Sequence, residues 1–132
     1  MDPSVPNIHH LQSPIVAHKR VAIVTDSTAC LTRDEAAALR IEVVPVSLVF
    51  PDGAYKDGEQ DSTAFYTRLK SSPKPPSTSA PAPGEYLEAM RTAAKNATSL
   101  LVITVSPEFS AMLDSAQSAA TQLHAESPDI EL

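Results

Sequence analysis

Three apolar runs with β-branched character punctuate the chain. Residues 21–24 (Val-Ala-Ile-Val) form a continuous apolar stretch of the kind found in a parallel strand buried on both faces. Residues 41–50 predict a second strand, and Pro45 within it predicts an edge or bulged strand rather than a central one. Residues 100–105 predict a third. Helical signals lie between them. Thr32 and Glu35 have capping-box spacing ahead of a short helix over Arg33–Leu39. Ser62 is expected to cap a helix carrying Phe65 and Leu69 on one face. Pro83 suits the first position of a helix running through Tyr86, Leu87, Met90 and Ala94. Ser106 followed by Pro107 predicts the start of a final helix, with Leu113, Ala116, Ala120 and Leu123 as its buried stripe. Strands alternating with helices predict an α/β fold, a three-layer domain of βαβ units on a parallel sheet.

The connecting segments complete this outline. Residues 1–18 are rich in Pro, Ser and His without periodicity, which predicts a flexible leader ahead of one domain over residues 19–132. Pro51-Asp52-Gly53 is turn chemistry, and residues 55–58 extend it into a polar loop. Residues 71–83 predict a rigid, extended connector because prolines crowd it. Residues 128–132 read as a loop entering a further strand, so the sheet is expected to be incomplete and the chain a fragment.

Composition narrows the function classes. At 132 residues the chain can form one domain that buries roughly two-thirds of its unfolded surface. A net charge of −6 argues against binding a nucleic-acid backbone. The single cysteine, Cys30, excludes an internal disulfide and fits a reducing compartment; its expected role is a small core residue. No apolar stretch approaches the ~18 residues of a membrane span, and residues 1–19 lack a signal-peptide layout. The expected location is the cytoplasm, without stable membrane insertion.

Candidate chemistry lies where strands end. Thr25-Asp26-Ser27-Thr28 follows the first strand, Ser77-Thr78-Ser79 sits in the Pro-rich connector, and Ser106 to Ser110 follow the third strand. Polar clusters at strand ends are where α/β proteins place ligand-binding atoms. These three predict a small anionic group held by hydroxyls and backbone N–H groups, without acid–base machinery or a cofactor. Each has a plainer reading beside it. Asp26 can anchor its loop by accepting N–H bonds, leaving Ser27 as a possible site residue. Thr78 can be a solvated turn residue, and Ser106 can be only a helix cap. His9, His10 and His18 can be a metal cluster or simply leader residues; His124 reads as a solvated residue near a helix end. Tyr86, Leu87 and Met90, apolar at helical spacing, read as plain core.

Several of these stretches occur together in a known family. Residues 21–28, then Ile41-Glu-Val-Val-Pro-Val46, Tyr55-Lys-Asp-Gly58, Phe65-Tyr66 and residues 77–86 resemble, in order and spacing, the opening of the DegV family of bacterial fatty-acid-binding proteins. The resemblance implies the N-terminal domain of a two-domain protein. Such a protein sequesters one long-chain fatty acid in an apolar tunnel between the two domains and presents its carboxylate to a separate fatty acid kinase subunit; the resemblance makes Tyr86, Leu87 and Met90 candidate tunnel wall as well as plain core. On matching positions it implies Thr78 as the leading carboxylate contact, with Ser106, Ser27 and Ser110 as further ones. Two departures stand out. The family's Ser-Ser-x-Leu-Ser-Gly-Thr type motif reads Ser106-Pro107-Glu108-Phe109-Ser110-Ala111-Met112 here, which deletes one N–H and adds a negative charge. Ala80 and Ala82 replace residues that in the family tend to be a Gln and a small hydroxyl residue, so a helix cap is lost.

Two alternatives belong to other classes. A hydrolase or acyltransferase using Ser106 or Ser110 as nucleophile needs a base within hydrogen-bond reach. The histidines fall in the leader or late in the last helix, and no G-x-S-x-G elbow is present. The other alternative is a truncated family member that binds nothing and exposes an apolar face.

Overall fold

The computed structural model describes residues 20–132. In chain order the elements are β1 (Val21–Asp26), a 3-10 turn (Ser27–Ala29), α1 (Arg33–Leu39), β2 (Ile41–Val44), β3 (Ser47–Phe50), β4 (Gly53–Lys56), α2 (Ser62–Ser71), β5 (Ser77–Ser79), α3 (Pro83–Ala94), β6 (Ser99–Ile103) and α4 (Met112–Glu126). They build a mixed α/β fold with two sheets. The first is parallel, with strand order β2-β1-β6; the second is antiparallel, with order β4-β3-β5.

β1 is central in the parallel sheet, which explains its unbroken apolar run. Its register sets Ala22 opposite Leu100, Val24 opposite Val102 and Asp26 opposite Val44, so these side chains share one face. α3 covers that face, lies against all three strands and packs on α4. Val24, Val44, Tyr86, Met90, Leu100 and Leu123 are buried there. The other face carries Val21, Ile23, Ile41, Val43, Leu101 and Ile103. α1 stands on it only beside β2, and Val21, Leu101 and Ile103 are 60%, 49% and 48% exposed. The third layer is therefore partial.

The expected single strand over residues 41–50 is two strands in different sheets. Pro45 has no N–H to give a ladder. Val46 is held by other partners: its N–H donates to Ser27 Oγ at 3.1 Å and its carbonyl accepts from Asp57 N–H at 2.8 Å. At this point the chain leaves the parallel sheet and starts the antiparallel one. The expected extended connector contains a strand as well, β5, which pairs with β3.

Local signals fare unevenly. The Thr32–Glu35 capping box forms as expected, with Thr32 N–H to Glu35 Oε2 at 2.9 Å and Glu35 N–H to Thr32 Oγ1 at 3.2 Å. α3 starts at Pro83 as expected. Its N-cap, Ala82, has no side chain to offer, so Glu85 holds that turn, accepting from Ala82 N–H at 3.0 Å. α2 is capped by Asp61 rather than Ser62, because the Asp61 carboxylate reaches Ala64 N–H at 2.9 Å. The final helix does not start at Ser106 and Pro107. Ser106 closes a turn on itself, accepting Phe109 N–H on its carbonyl at 2.9 Å and Glu108 N–H on Oγ at 3.3 Å. The helix begins only at Met112, so its buried stripe is Met112, Ala116, Ala119 and Leu123. Leu113 and Ala120 are only half-buried. Beyond α4, Glu131 makes a parallel bridge to Ser99, the expected entry into a further strand beside β6.

Among the described residues no helix is long and apolar enough to cross a membrane. Leu123 is 1% exposed, so Leu123→Ala is expected to lower the free energy of urea unfolding by about 2–5 kcal/mol. Leu101→Ala, on the uncovered face, is expected to lower it by under about 1 kcal/mol. Equal losses at the two positions would contradict this placement of the core.

Candidate functional site

The site grows from the carboxyl end of β1. Thr25 is buried, and its hydroxyl donates to the Ile103 carbonyl at 3.0 Å, tying β1 to β6 beyond their ladder. Asp26, 1% exposed, accepts from Thr28 N–H at 2.9 Å, from the Thr28 hydroxyl and from Tyr86 Oη at 3.4 Å. The carboxylate thus anchors its loop, the plainer of its two sequence readings. Burial, with the Asp26 charge beside it, pushes the Tyr86 phenol well above its ordinary value. Tyr86, Leu87 and Met90 all belong to the buried core under the parallel sheet.

Of the four hydroxyls singled out in the sequence, Ser27 follows β1, Ser106 and Ser110 follow β6, and Thr78 lies on β5 in the antiparallel sheet. Ser27, half-buried, accepts from Val46 N–H and lines an open groove of ≈710 Å³. Leu31, Ala36, Ala37, Ile41 and Val43 give that groove its apolar floor. Thr78 lies on β5 directly opposite Leu48 of β3, and its hydroxyl meets no hydrogen-bond partner among the described residues. Ser106 is exposed in the turn after β6, and Ser110 Oγ accepts from Met112 N–H at 3.3 Å. Ser27 and Thr78 are linked through adjacent residues, since Val46 precedes β3. No hydrogen bond joins any two of the four hydroxyls. Ser27, Ser106 and Ser110 each accept one backbone N–H and keep an O–H to donate; Thr78 is wholly free to donate.

A second recess, ≈200 Å³, lies between α2 and the antiparallel sheet; Leu48, Phe50, Tyr55, Phe65 and Tyr66 form one side of its lining, and Lys56, Asp57, Gln60 and Ser62 the polar other. The Arg68 guanidinium lies 4.4 Å from the Phe50 ring centroid and 4.0 Å from that of Tyr55, and it pairs with Asp52. That pairing holds the Asp52 carboxyl below its usual range. Lys56 at the rim meets Glu85 at 2.5 Å and likewise lowers that carboxyl.

Sequence reasoning missed Arg33, which lines the groove and donates to the Gly58 carbonyl at 2.7 Å. Nothing local marks that contact, because its partner lies 25 residues away. Gly58 has φ +84°, a left-handed turn that glycine adopts without strain. Cys30 is not a core residue: it caps the 3-10 turn in a left-handed conformation with φ 56°, which leaves its thiol exposed. His124 is exposed on the last turn of α4. The body of α4 puts about 18 Å between it and the start of the helix, so it cannot serve Ser106 or Ser110 as a base. Among the described residues no cluster has metal-ligand geometry; His9, His10 and His18 lie outside the described residues.

Comparison with known proteins adds relatives to this geometry. Residues 20–132 match the family model described as "Uncharacterised protein, DegV family". A DegV domain-containing protein of Halalkalibacterium halodurans is 39% identical over 79% of this chain and 38% of its own length. One from Listeria innocua is 42% identical over 54% of this chain and 25% of its own. Among solved structures, a fatty-acid-binding DegV family protein of Thermus thermophilus superposes with a TM-score of 0.70 at 30% identity, covering 79% of this chain and 38% of that one. A stearic acid-binding protein of Eubacterium ventriosum gives 0.76 at 26%, covering 85% and 39%. The chain thus spans well under half the length of these relatives.

The Asp26–Tyr86 pair gives a test at high pH. A phenol whose folded pKa is raised contributes stability that is fully present below its unfolded value of about 10 and is lost as pH rises beyond it. Unfolding measured by urea titration is expected to weaken above pH ~10 in the natural protein. The Tyr86→Phe variant is expected to lack that component while losing about 1 kcal/mol at neutral pH. Identical alkaline profiles would contradict the pairing.

Proposed function

We propose that this chain, which belongs to the DegV family, holds a long-chain fatty acid by its carboxylate and presents that group to a separate kinase. The observation that carries the reading is the superposition on fatty-acid-binding proteins over 79% and 85% of the chain, within a family match that runs over residues 20–132. The chemistry of the loops around the carboxyl end of β1 supports it. A carboxylate requires donors, and hydroxyls supply them without burying an opposing charge. Thr78 has a hydroxyl with no competing partner and pairs across the strands with Leu48. Ser27 lines the adjoining groove, and Ser106 and Ser110 stand beyond β6. In this reading the segment 106–112 contributes fewer donors than its family counterpart, because Pro107 has no N–H.

Thr78→Val removes the hydroxyl at nearly constant shape. Oleate titration of the protein is expected to show affinity about tenfold weaker for the variant, with an unchanged circular dichroism spectrum. Equal affinity would remove Thr78 from the site. Failure of the natural protein to take up oleate or palmitate at all would overturn the binding reading.

A further inference from the structure

We infer that residues 47–79 form a unit that opens and closes against the parallel sheet, and that its closed position, latched by Arg33 and Lys56, completes the carboxylate site. The second half rests on the fatty-acid reading above. The division is visible in the packing. Every extensive contact between elements falls within one of two groups: β1, β2, β6, α1, α3 and α4, or β3, β4 and β5. α2 joins the second group through its rings, with the Phe65 centroid 6.3 Å from that of Phe50 and the planes at 77°. Phe50 is buried, yet it lies outside the main core that gathers Val24, Tyr86, Met90 and Leu123. The antiparallel sheet therefore keeps a small core of its own. Units with separate cores and little shared apolar surface open independently.

The chain enters this unit through Pro45 and Val46 and leaves it through residues 80–82, with a proline at each crossing. Proline brings no N–H to a ladder, so neither sheet continues into the other. Val46 and Pro81 are buried, which makes the crossings the pivots. Polar contacts then reach from one unit to the other. Val46 N–H donates to Ser27 Oγ at 3.1 Å, Arg33 of α1 donates to the Gly58 carbonyl at 2.7 Å, and Lys56 of β4 pairs with Glu85 of α3 at 2.5 Å. Contacts of this kind at a wet surface are individually weak and break readily. The groove beside α1 runs along the seam: Ser27, Ala36 and Val43 line it from the parallel side, and Asp57, Gly58 and Ser62 from the other. The candidate hydroxyls are divided in the same way. Ser27, Ser106 and Ser110 belong to the parallel unit and Thr78 to the antiparallel one. A carboxylate that takes donors from Ser27 and Thr78 together requires the closed position, and Arg33 and Lys56 act as positioning residues by holding it.

Hydrogen exchange on the full chain, read amide by amide by NMR, tests both halves. In the natural protein, residues 47–56 are expected to exchange through an opening that leaves residues 21–26 and 99–103 protected. Equal protection in the two sheets would overturn the division. The double variant Arg33→Ala with Lys56→Gln is expected to speed exchange at Val46 and residues 47–56 by about tenfold, with the parallel sheet unchanged. Arg33→Lys alone, which keeps a donor for Gly58, is expected to give a smaller rise. No change at Val46 in the double variant, or an equal rise in both sheets, would overturn the latch. Oleate at ten times its Kd is expected to slow exchange of residues 47–56 in the natural protein by about tenfold. Bound oleate that leaves this exchange untouched would overturn the link to the site and spare the fatty-acid reading. No uptake of oleate would end that reading and the link together, while the exchange of the unliganded protein would still decide whether the two units open separately.

Discussion

A buried carboxylate organises this molecule. Asp26 ends the central strand of the parallel sheet with almost no solvent contact, and an unpaired charge there would be very costly. Three donors satisfy it: the Thr28 amide, the Thr28 hydroxyl and the Tyr86 phenol. The first two fold the chain back into the 3-10 turn that sets Ser27. The third fixes α3 beneath the sheet. Ser27 in turn takes the Val46 N–H, which fixes the crossing into the second sheet. One buried side chain thus links the strand end, the helix below it and, through Ser27, the start of β3.

What the sequence makes legible is what depends on near neighbours. The β1 run, the Thr32–Glu35 box and the Pro83 start are each decided within four residues, and all stand as expected. The misreadings involve distant partners or competing local ones. Residues 41–50 look like one strand until Ser27 and Asp57 take the two hydrogen-bonding groups of Val46. β5 has no strand signal of its own, and pairing with β3 creates it. Ser106-Pro107 has the residues of a helix start, but Ser106 satisfies Phe109 and Glu108 within a turn and the helix begins six residues later. Cys30 has an apolar residue's usual habits, yet the 3-10 turn needs a left-handed cap at that position and so exposes it.

The candidate site shows the same division. The residue types at the strand ends already point to an anion held by hydroxyls. Which hydroxyl is available is a property of the fold. Three of the four accept a backbone amide and keep an O–H to donate, while Thr78, on the short edge strand β5, has no hydrogen-bond partner among the described residues. The recess between α2 and the antiparallel sheet is likewise set by long-range pairing. The Leu48–Tyr55 and Leu48–Thr78 partnerships bring residues from three separate stretches onto one face. The net charge of −6 is no obstacle to a carboxylate ligand, because local neutral donors decide affinity at a partly dry site more than a screened overall charge does.

The central claim is that this chain binds a fatty acid. Native mass spectrometry of the purified protein, followed by denaturing extraction and lipid identification, tests it most directly. The expected result is a mass excess equal to one fatty acid, released on denaturation. A bare protein mass that persists after incubation with palmitate and oleate would contradict it.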